Sequence, residues 1–287
     1  PSKDFLKMCF NERVPMALLR VKGLSKRFGG VHALKRMDLD VEPGQIVGLI
    51  GPNGAGKTSF FNGITGLLAT EEGEILFGQG CERLQGMAAH RILKKGIART
   101  FQNLRIFKHM TALENVSVGF HARTRSGLWD AFARTKRFYA EENWIFEKSM
   151  ELLKFVGLDR NSDEIAQNLS YGSQKRLEMA RALASQPTLL LLDEPAAGMN
   201  PTEKEELAGL IRCIREKGTA VLLIEHDMKV VMPLSDKIVV MDEGAKIAEG
   251  SPERVQNDPR VIRAYLGETN SESGVRLPAG QAGSSET

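Results

Sequence analysis

Short apolar runs alternate with polar turns along the chain, and their lengths sort them into strands and helices. Met16-Ala-Leu-Leu-Arg-Val and Met37-Asp-Leu-Asp-Val predict strands, with Gly29-Gly30 as a turn between them. Pro43-Gly44 marks another turn. Gln45-Ile-Val-Gly-Leu-Ile reads as a short buried strand that runs directly into Gly51-Pro-Asn-Gly-Ala-Gly-Lys-Thr. A helix is predicted over about 57–67, with Phe60, Phe61 and Ile64 on one face. From about Gln102 to Ser185 the pattern is helical and poor in strands. Thr111-Ala-Leu-Glu has the spacing of a capping box, and the periodic run Trp144 to Val156 stops at Gly157. Thr188-Leu-Leu-Leu-Leu-Asp, Ala220-Val-Leu-Leu-Ile-Glu and Lys237-Ile-Val-Val-Met-Asp read as buried parallel strands. Pro201 to Lys217 is the helix between the first two. Strands alternating with helices predict an α/β fold around a parallel sheet.

Composition narrows this picture by exclusion. The chain has 287 residues, 42% of them hydrophobic, enough to bury a large core. A formal net charge of +3 is too small to argue for nucleic acid as a partner. Cys9, Cys81 and Cys213 are far apart and lack metal-ligand spacing, so a reduced, cytosolic chain is expected. No run approaches the roughly 18 apolar residues of a membrane helix. Lys3, Asp4, Lys7, Glu12 and Arg13 interrupt the first fifteen residues, which do not read as a signal peptide. Any link to a membrane is therefore expected to run through a partner chain. The tail from Glu268 to Thr287 is rich in Ser, Gly and Glu and predicts disorder.

Chemistry enters at the glycine-rich run. Gly51-x-x-x-x-Gly56-Lys57-Thr58, set after a strand and before a helix, is a complete phosphate-loop (Walker A) motif. Glycines let backbone N–H groups approach phosphate oxygens, and the helix N-terminus adds its positive end. The candidate cradle is Gly51, Pro52, Asn53, Gly54, Ala55, Gly56, Lys57, Thr58 and Ser59. Lys57 supplies a cation for the β- and γ-phosphates of ATP, and Thr58 a hydroxyl for Mg²⁺. Leu189-Leu-Leu-Leu-Asp193-Glu194 has the form of a Walker B strand. It carries Asp193, a candidate Mg²⁺ partner, to the C-terminal edge of the sheet, where ligands bind in open α/β folds. Glu194 follows at once and can polarise an attacking water.

Five motifs in order then resemble the ABC ATPase family. Thr100-Phe101-Gln102 is similar to its Q-loop. Leu169-Ser170-Tyr171-Gly172-Ser173 stands in place of the Leu-Ser-Gly-Gly-Gln signature, Ala197-Gly198-Met199-Asn200 at the D-loop, and His226 at the switch histidine. The resemblance spans residues 16–267. It implies a P-loop NTPase (RecA-like) core with an N-terminal antiparallel β subdomain and an inserted α-helical subdomain at about 103–185. Residues 1–15 would be an N-terminal extension and 268–287 a disordered tail. It also implies roles. Gln102 would sense the γ-phosphate and Mg²⁺ and link to the membrane partner. Ser170 and Gly172 would bind the γ-phosphate held by the opposite subunit, and His226 would hold the γ-phosphate and the attacking water. Phe28 resembles the aromatic that stacks on adenine. Lys57, Gln102, Glu194 and His226 are thus the catalytic candidates, and Thr58, Gln102 and Asp193 the metal candidates.

Departures from the generic pattern refine the resemblance. Tyr171 and Ser173 replace a glycine and a glutamine, and Asn200 replaces the usual aspartate. The bulk of Tyr171 opposes close backbone approach there, while Gly172 stays available. Arg99-Thr-Phe-Gln, Asp193-Glu-Pro-Ala-Ala-Gly-Met-Asn-Pro, Ile224-Glu-His-Asp-Met-Lys and Val261-Ile-Arg-Ala-Tyr-Leu-Gly-Glu resemble the LivG-type ATPases of branched-chain amino-acid importers. Urea importers and lipopolysaccharide exporters have related ATPases and stay open as alternatives, as does a soluble ABC ATPase. A P-loop small-molecule kinase would not carry Leu169-Ser-Tyr-Gly. The resemblance implies a second ATPase subunit, a paralogue of this chain, in a head-to-tail dimer. It also implies two transmembrane permease subunits, an indirect periplasmic or extracellular binding protein, no nucleic acid, and a peripheral place on the cytoplasmic face of the cell membrane. A basic stretch at 121–137, opposed only by Asp130, reads as a solvated face, with contact to phospholipid or the membrane subunit as the alternative.

Overall fold

The computed structural model of the protein describes residues 17–121 and 136–266. The expected N-terminal extension, the expected tail and most of the basic stretch lie outside the described residues.

Strands β1 (Leu19–Phe28) and β2 (Val31–Val41) pair as an antiparallel hairpin. Both outrun the apolar runs that predict them. Lys22, Lys26 and Arg27 stay in the ladder because that edge of each strand faces water, while Leu19, Val21 and Leu24 face inward. A register shift between Val21 and Leu24 keeps the inward face apolar despite the odd spacing. Next come β3 (Ile46–Ile50), buried throughout, and α1 (Lys57–Ile64). Phe60, Phe61 and Ile64 are all buried. α1 ends three residues before Leu67, because Gly66 adopts a φ of 70° and the amides of Leu67 and Leu68 turn back to the Asn62 carbonyl.

β4 (Glu72–Phe77) returns to pair with β1, and β5 (Glu82–Arg83) pairs with β4. The first sheet is therefore antiparallel, in the order β2-β1-β4-β5. α2 (Ala89–Lys95) leads into β6 (Ile97–Arg99), a strand too short to leave a periodic trace in the sequence. Among the described residues three α-helices follow: α3 (Ala112–Phe120), α4 (Lys136–Phe155) and α5 (Tyr171–Ala184). α3 starts at the Thr111/Glu114 capping box, and Gly157 with φ 71° closes α4. Then β7 (Leu189–Asp193), α6 (Pro201–Glu216), β8 (Ala220–Ile224), α7 (Met228–Leu234), β9 (Lys237–Asp242), β10 (Ala245–Gly250), α8 (Pro252–Gln256) and α9 (Pro259–Leu266) complete the described residues.

The second sheet has the order β10-β9-β3-β8-β7-β6, parallel except at the edge strand β10. One core fills the space between the two sheets and includes Phe60, Phe61, Leu189 and Leu222. A second lies on the other face, where α6 and α7 bring Leu207, Ile211 and Val231 against Leu190 and Val221. A third joins α3, α4 and α5 through Val116, Leu153 and Leu177. Burial on both faces explains why β3, β7 and β8 read as continuous apolar runs. Each buried leucine contributes roughly 1.5–3 kcal/mol, so the strands are held stiffly up to their C-terminal ends. Charged groups can then be carried there at fixed positions.

Candidate nucleotide site

The C-terminal ends of β3, β7 and β8 lie side by side, and each opens into a loop that bears chemistry. Residues Gly51 to Gly56 link β3 to α1. Gly51 has a φ of 151°, and a Cβ built on it would stand 2.0 Å from the Met241 carbonyl oxygen. Gly56 would place one 2.4 Å from the Ala33 carbonyl oxygen. Both positions therefore demand glycine. α1 begins at Gly56 without a side-chain cap or an acidic residue in its first turn, leaving its leading amides for an anion. Lys57 is buried, and its ammonium donates to the carbonyls of Gly51 at 2.6 Å and Pro52 at 2.9 Å. Burial pushes its pKa below the usual lysine range, opposed by the nearby charges of Glu194 and Asp193. Asn53, Gly54 and Thr58 are exposed, Pro52 and Ser59 half-buried, and Ala55 is packed inside.

The acidic pair at the end of β7 is split by environment. Asp193 is 2% exposed, and its Oδ2 pairs with Arg99 Nη2 at 2.7 Å. Arg99 also donates to Asn62 Oδ1 at 2.7 Å, and its guanidinium stacks between Phe61 and Phe101 at 5.3 and 5.0 Å from the ring centroids. Asp193 Oδ1 is buried with no partner. A dry carboxylate oxygen lacking a donor is a place for a cation. Asp193 and the exposed Thr58 hydroxyl offer the hard oxygens that Mg²⁺ takes, so the residues present fit that ion.

Glu194 behaves differently. Its φ of 47° lies in the left-handed region, and its amide donates to Ile224 O at 2.9 Å, tying the turn after β7 to β8. Its Oε2 accepts from Gln102 Nε2 at 2.8 Å, and its Oε1 lies 3.9 Å from His226 Nδ1. The structure thus brings Gln102, Glu194 and His226 together from three separate loops. Residue Glu225, just before the histidine, is buried and accepts from Ala196 N at 2.8 Å and His226 N at 3.3 Å. Burial raises its carboxyl above the usual range. Asp227, just after it, pairs with Lys204 of α6 at 2.6 Å.

The signature residues bond among themselves and to α6. Ser170 is the N-cap of α5 and accepts from Ser173 N at 3.3 Å. A Cβ built on Gly172 would stand 2.8 Å from Glu203 Oε1, so the Glu203 side chain of α6 packs directly over this glycine. Tyr171 is half exposed, with its ring edge against Gly198 of the D-loop. Asn200 uses its side chain to cap α6, accepting from Glu203 N at 3.0 Å. The bonds and close approaches described for Ser170 and Gly172 run to α5 and α6, and none reaches the loop that holds Lys57. Phe28 is 51% exposed at the tip of β1, with Lys26 Nζ 5.5 Å from its ring centroid, leaving a ring face open.

Four residues at the site receive no role from the motif reading: Arg99, Lys175, Glu178 and Tyr265. Tyr265, on α9, takes a hydrogen bond from the Gly51 amide, and burial pushes its phenol up to about 12. Lys175 and Glu178 sit one turn apart on the buried face of α5, where periodicity expects apolar residues. That mismatch was the available signal. Removing Arg99 alone should leave Asp193 a buried, unpaired charge. Arg99→Leu should cost about 3–5 kcal/mol, read as a fall in denaturation midpoint in urea at unchanged slope. An unchanged midpoint would show that the pair is not held dry.

Comparison with known proteins agrees with this geometry. The family model for ABC transporters matches residues 34–197, and that for branched-chain amino acid ATP-binding cassette transporters matches residues 245–269. The high-affinity branched-chain amino acid transport ATP-binding protein LivG of Escherichia coli is 45% identical over 252 residues, covering 88% of this chain and 98% of LivG. A nucleotide-free ATP-binding cassette from an ABC transporter superposes with a TM-score of 0.77 at 33% identity, covering 88% of this chain and 100% of that one. A dimeric ATP-binding cassette in a post-hydrolysis state, bound to ADP and Pi, gives 0.69 at 25% identity over 82% of this chain and 98% of its own. A parallel sheet with a glycine-rich loop after its central strand, an acidic pair on a neighbouring strand and relatives of this closeness lead to one conclusion: the chain belongs to the ATP-binding cassette family of transporter ATPases, in the branch that includes LivG.

Proposed function

We propose that this ATPase powers an importer of branched-chain amino acids and works as half of a head-to-tail pair. Its partner is a second ATPase subunit, a paralogue of this chain. Two permease subunits carry the substrate across the membrane, and a binding protein delivers it to them. The chain itself sits on the cytoplasmic face of the cell membrane, held there by the permease subunits. No helix among the described residues is long and apolar enough to cross a membrane. The observation that carries the catalytic reading is the meeting of Gln102, Glu194 and His226 beside Lys57.

In this reading the Gly51–Ser59 loop cradles the triphosphate, Phe28 stacks on the adenine, and Lys57 transfers its hydrogen bonds from Gly51 and Pro52 to the β- and γ-phosphates. Thr58, Asp193 and Gln102 would hold Mg²⁺, which when bound neutralises charge on the phosphoryl oxygens. Glu194 orients water in line with the γ-phosphate and takes up its proton. His226 steadies the γ-phosphate as charge shifts to the leaving oxygen. Ser170 and Gly172 of the opposite subunit close the site; within one chain no described bond joins these residues to the phosphate loop. The permease docks into a groove of about 540 Å³ beside the Gln102 loop, lined in part by Leu93, Phe101, Arg105, Phe107 and Arg181.

Reconstitution in liposomes tests this. The chain, its paralogue and the permeases should hydrolyse ATP faster when leucine-loaded binding protein is added. A rate indifferent to leucine, isoleucine and valine alike would remove the cargo assignment. Ser170→Arg should abolish that stimulation while the lone chain binds ATP as before. Loss of ATP binding by the lone variant would show that the signature does not act across the interface.

A further inference from the structure

We propose that Lys175 is a positioning residue that carries the seating of the signature helix to Gln102, and through it to Glu194. The proposal rests on Glu194 acting as the base, and deepens that reading.

Three side chains spaced three residues apart on α5 hold the backbone of residues 101–105. Lys175 Nζ donates to the Gln102 carbonyl at 3.0 Å. Glu178 Oε1 accepts from the amides of Phe101 at 3.4 Å and Arg105 at 3.2 Å. Arg181 donates to the Arg105 carbonyl. Positions i, i+3 and i+6 lie along one side of a helix, so the loop that carries Gln102 is laid on a single face of α5. The N-cap of that helix is Ser170, the residue assigned to the opposite subunit's nucleotide. At the other end of the chain of contacts, Gln102 Nε2 donates to Glu194 Oε2 at 2.8 Å. A rotation or shift of α5 on closure of the pair therefore moves the Gln102 backbone, and Gln102 re-aims Glu194.

The chemistry at residue 175 favours this role over simple filling. Lys175 is 3% exposed. Burial pushes its pKa down, while Glu178, Asp193, Glu225 and Glu194 pull it up. A buried charge of this kind is often replaceable by an apolar residue of equal volume without loss of stability. What an apolar side chain could not supply is the donor to the Gln102 carbonyl. Lys175 touches neither the phosphate loop nor the Glu194 carboxylate in any hydrogen bond of the described residues, so it acts through Gln102.

The test uses the full chain with its partner subunits, and the lone chain for ATP affinity. Lys175→Met should lower turnover about 10–100-fold, the size of a small misplacement at a catalytic centre. Its ATP affinity should stay within about twofold of wild type, because the cradle is untouched. Lys175→Arg, which keeps a charged donor, should recover most of the turnover. In a Gln102→Ala background Lys175→Met should cost nothing further, since both act on one element. Wild-type turnover in Lys175→Met, or losses that simply add in the double variant, would overturn the proposal. Glu194→Gln measured beside it separates the two ideas. A dead Glu194→Gln with a normal Lys175→Met sinks Lys175 alone, whereas a fully active Glu194→Gln sinks the reading on which Lys175 depends.

Discussion

Glu194→Gln should bind ATP and fail to cleave it, with turnover down roughly 10²–10⁴-fold. Glutamine keeps the size of the side chain and an oxygen to accept from Gln102, so the loop geometry should survive. What disappears is the negative charge that takes a proton from water. No neighbour can stand in. Asp193 is committed to Arg99 and 2% exposed. Glu225 is buried and occupied by the amides of Ala196 and His226. The His226 side chain is 58% exposed with its Nδ1 3.9 Å from Glu194 Oε1, and no carboxylate backs its outer nitrogen among the hydrogen bonds described. Phosphate release under saturating ATP measures the loss, and a nucleotide titration of the same preparation shows the retained binding. Turnover at the wild-type rate would assign the base elsewhere.

Lys57→Ala should weaken nucleotide binding by at least about 10²-fold. The ammonium is already desolvated, and its two hydrogen bonds to Gly51 and Pro52 carbonyls hold it over the loop where a phosphate would sit. Moving it to two phosphate oxygens makes two charge-assisted contacts, worth roughly 1.5–3 kcal/mol each. Their removal should weaken ATP binding by at least about 10²-fold, and the empty cavity would leave two carbonyls facing an anion. The α1 N-terminus remains, so weak residual binding is expected. Fluorescent-nucleotide titration of the lone chain checks this, and unchanged affinity would remove the phosphate loop from the nucleotide site.

These two residues were legible before any fold was known, and the difference between them and Lys175 is instructive. Lys57 belongs to a contiguous run whose flanking strand and helix are also local. Its glycines, helix start and cation must be adjacent because one phosphate chain touches them all. Asp193 and Glu194 were visible for a related reason: an apolar strand announces the point at which it leaves the sheet. The capping box at Thr111 and the stop at Gly157 are local as well. Gln102, Ser170 and His226 came from the order of motifs rather than from any property of their own. By contrast β4, β5 and β6 left little trace, because short strands beside glycine turns take their shape from the partner they pair with.

What the sequence determined by itself was the set of local devices: the cradle, the strand ends with their carboxylates, the caps and the alternation that makes a parallel sheet. Only the tertiary structure decided which charges meet. Arg99 and Asp193 are 94 residues apart, Gln102 and Glu194 92, and Gln102 and Lys175 73. Those pairings follow from the sheet order, which sets β7 between β6 and β8, and from the face that α5 turns toward the loop after β6. A hydrogen bond needs its partners within about 3 Å, and no spacing along a chain specifies that distance until the packing of strands and helices has closed it.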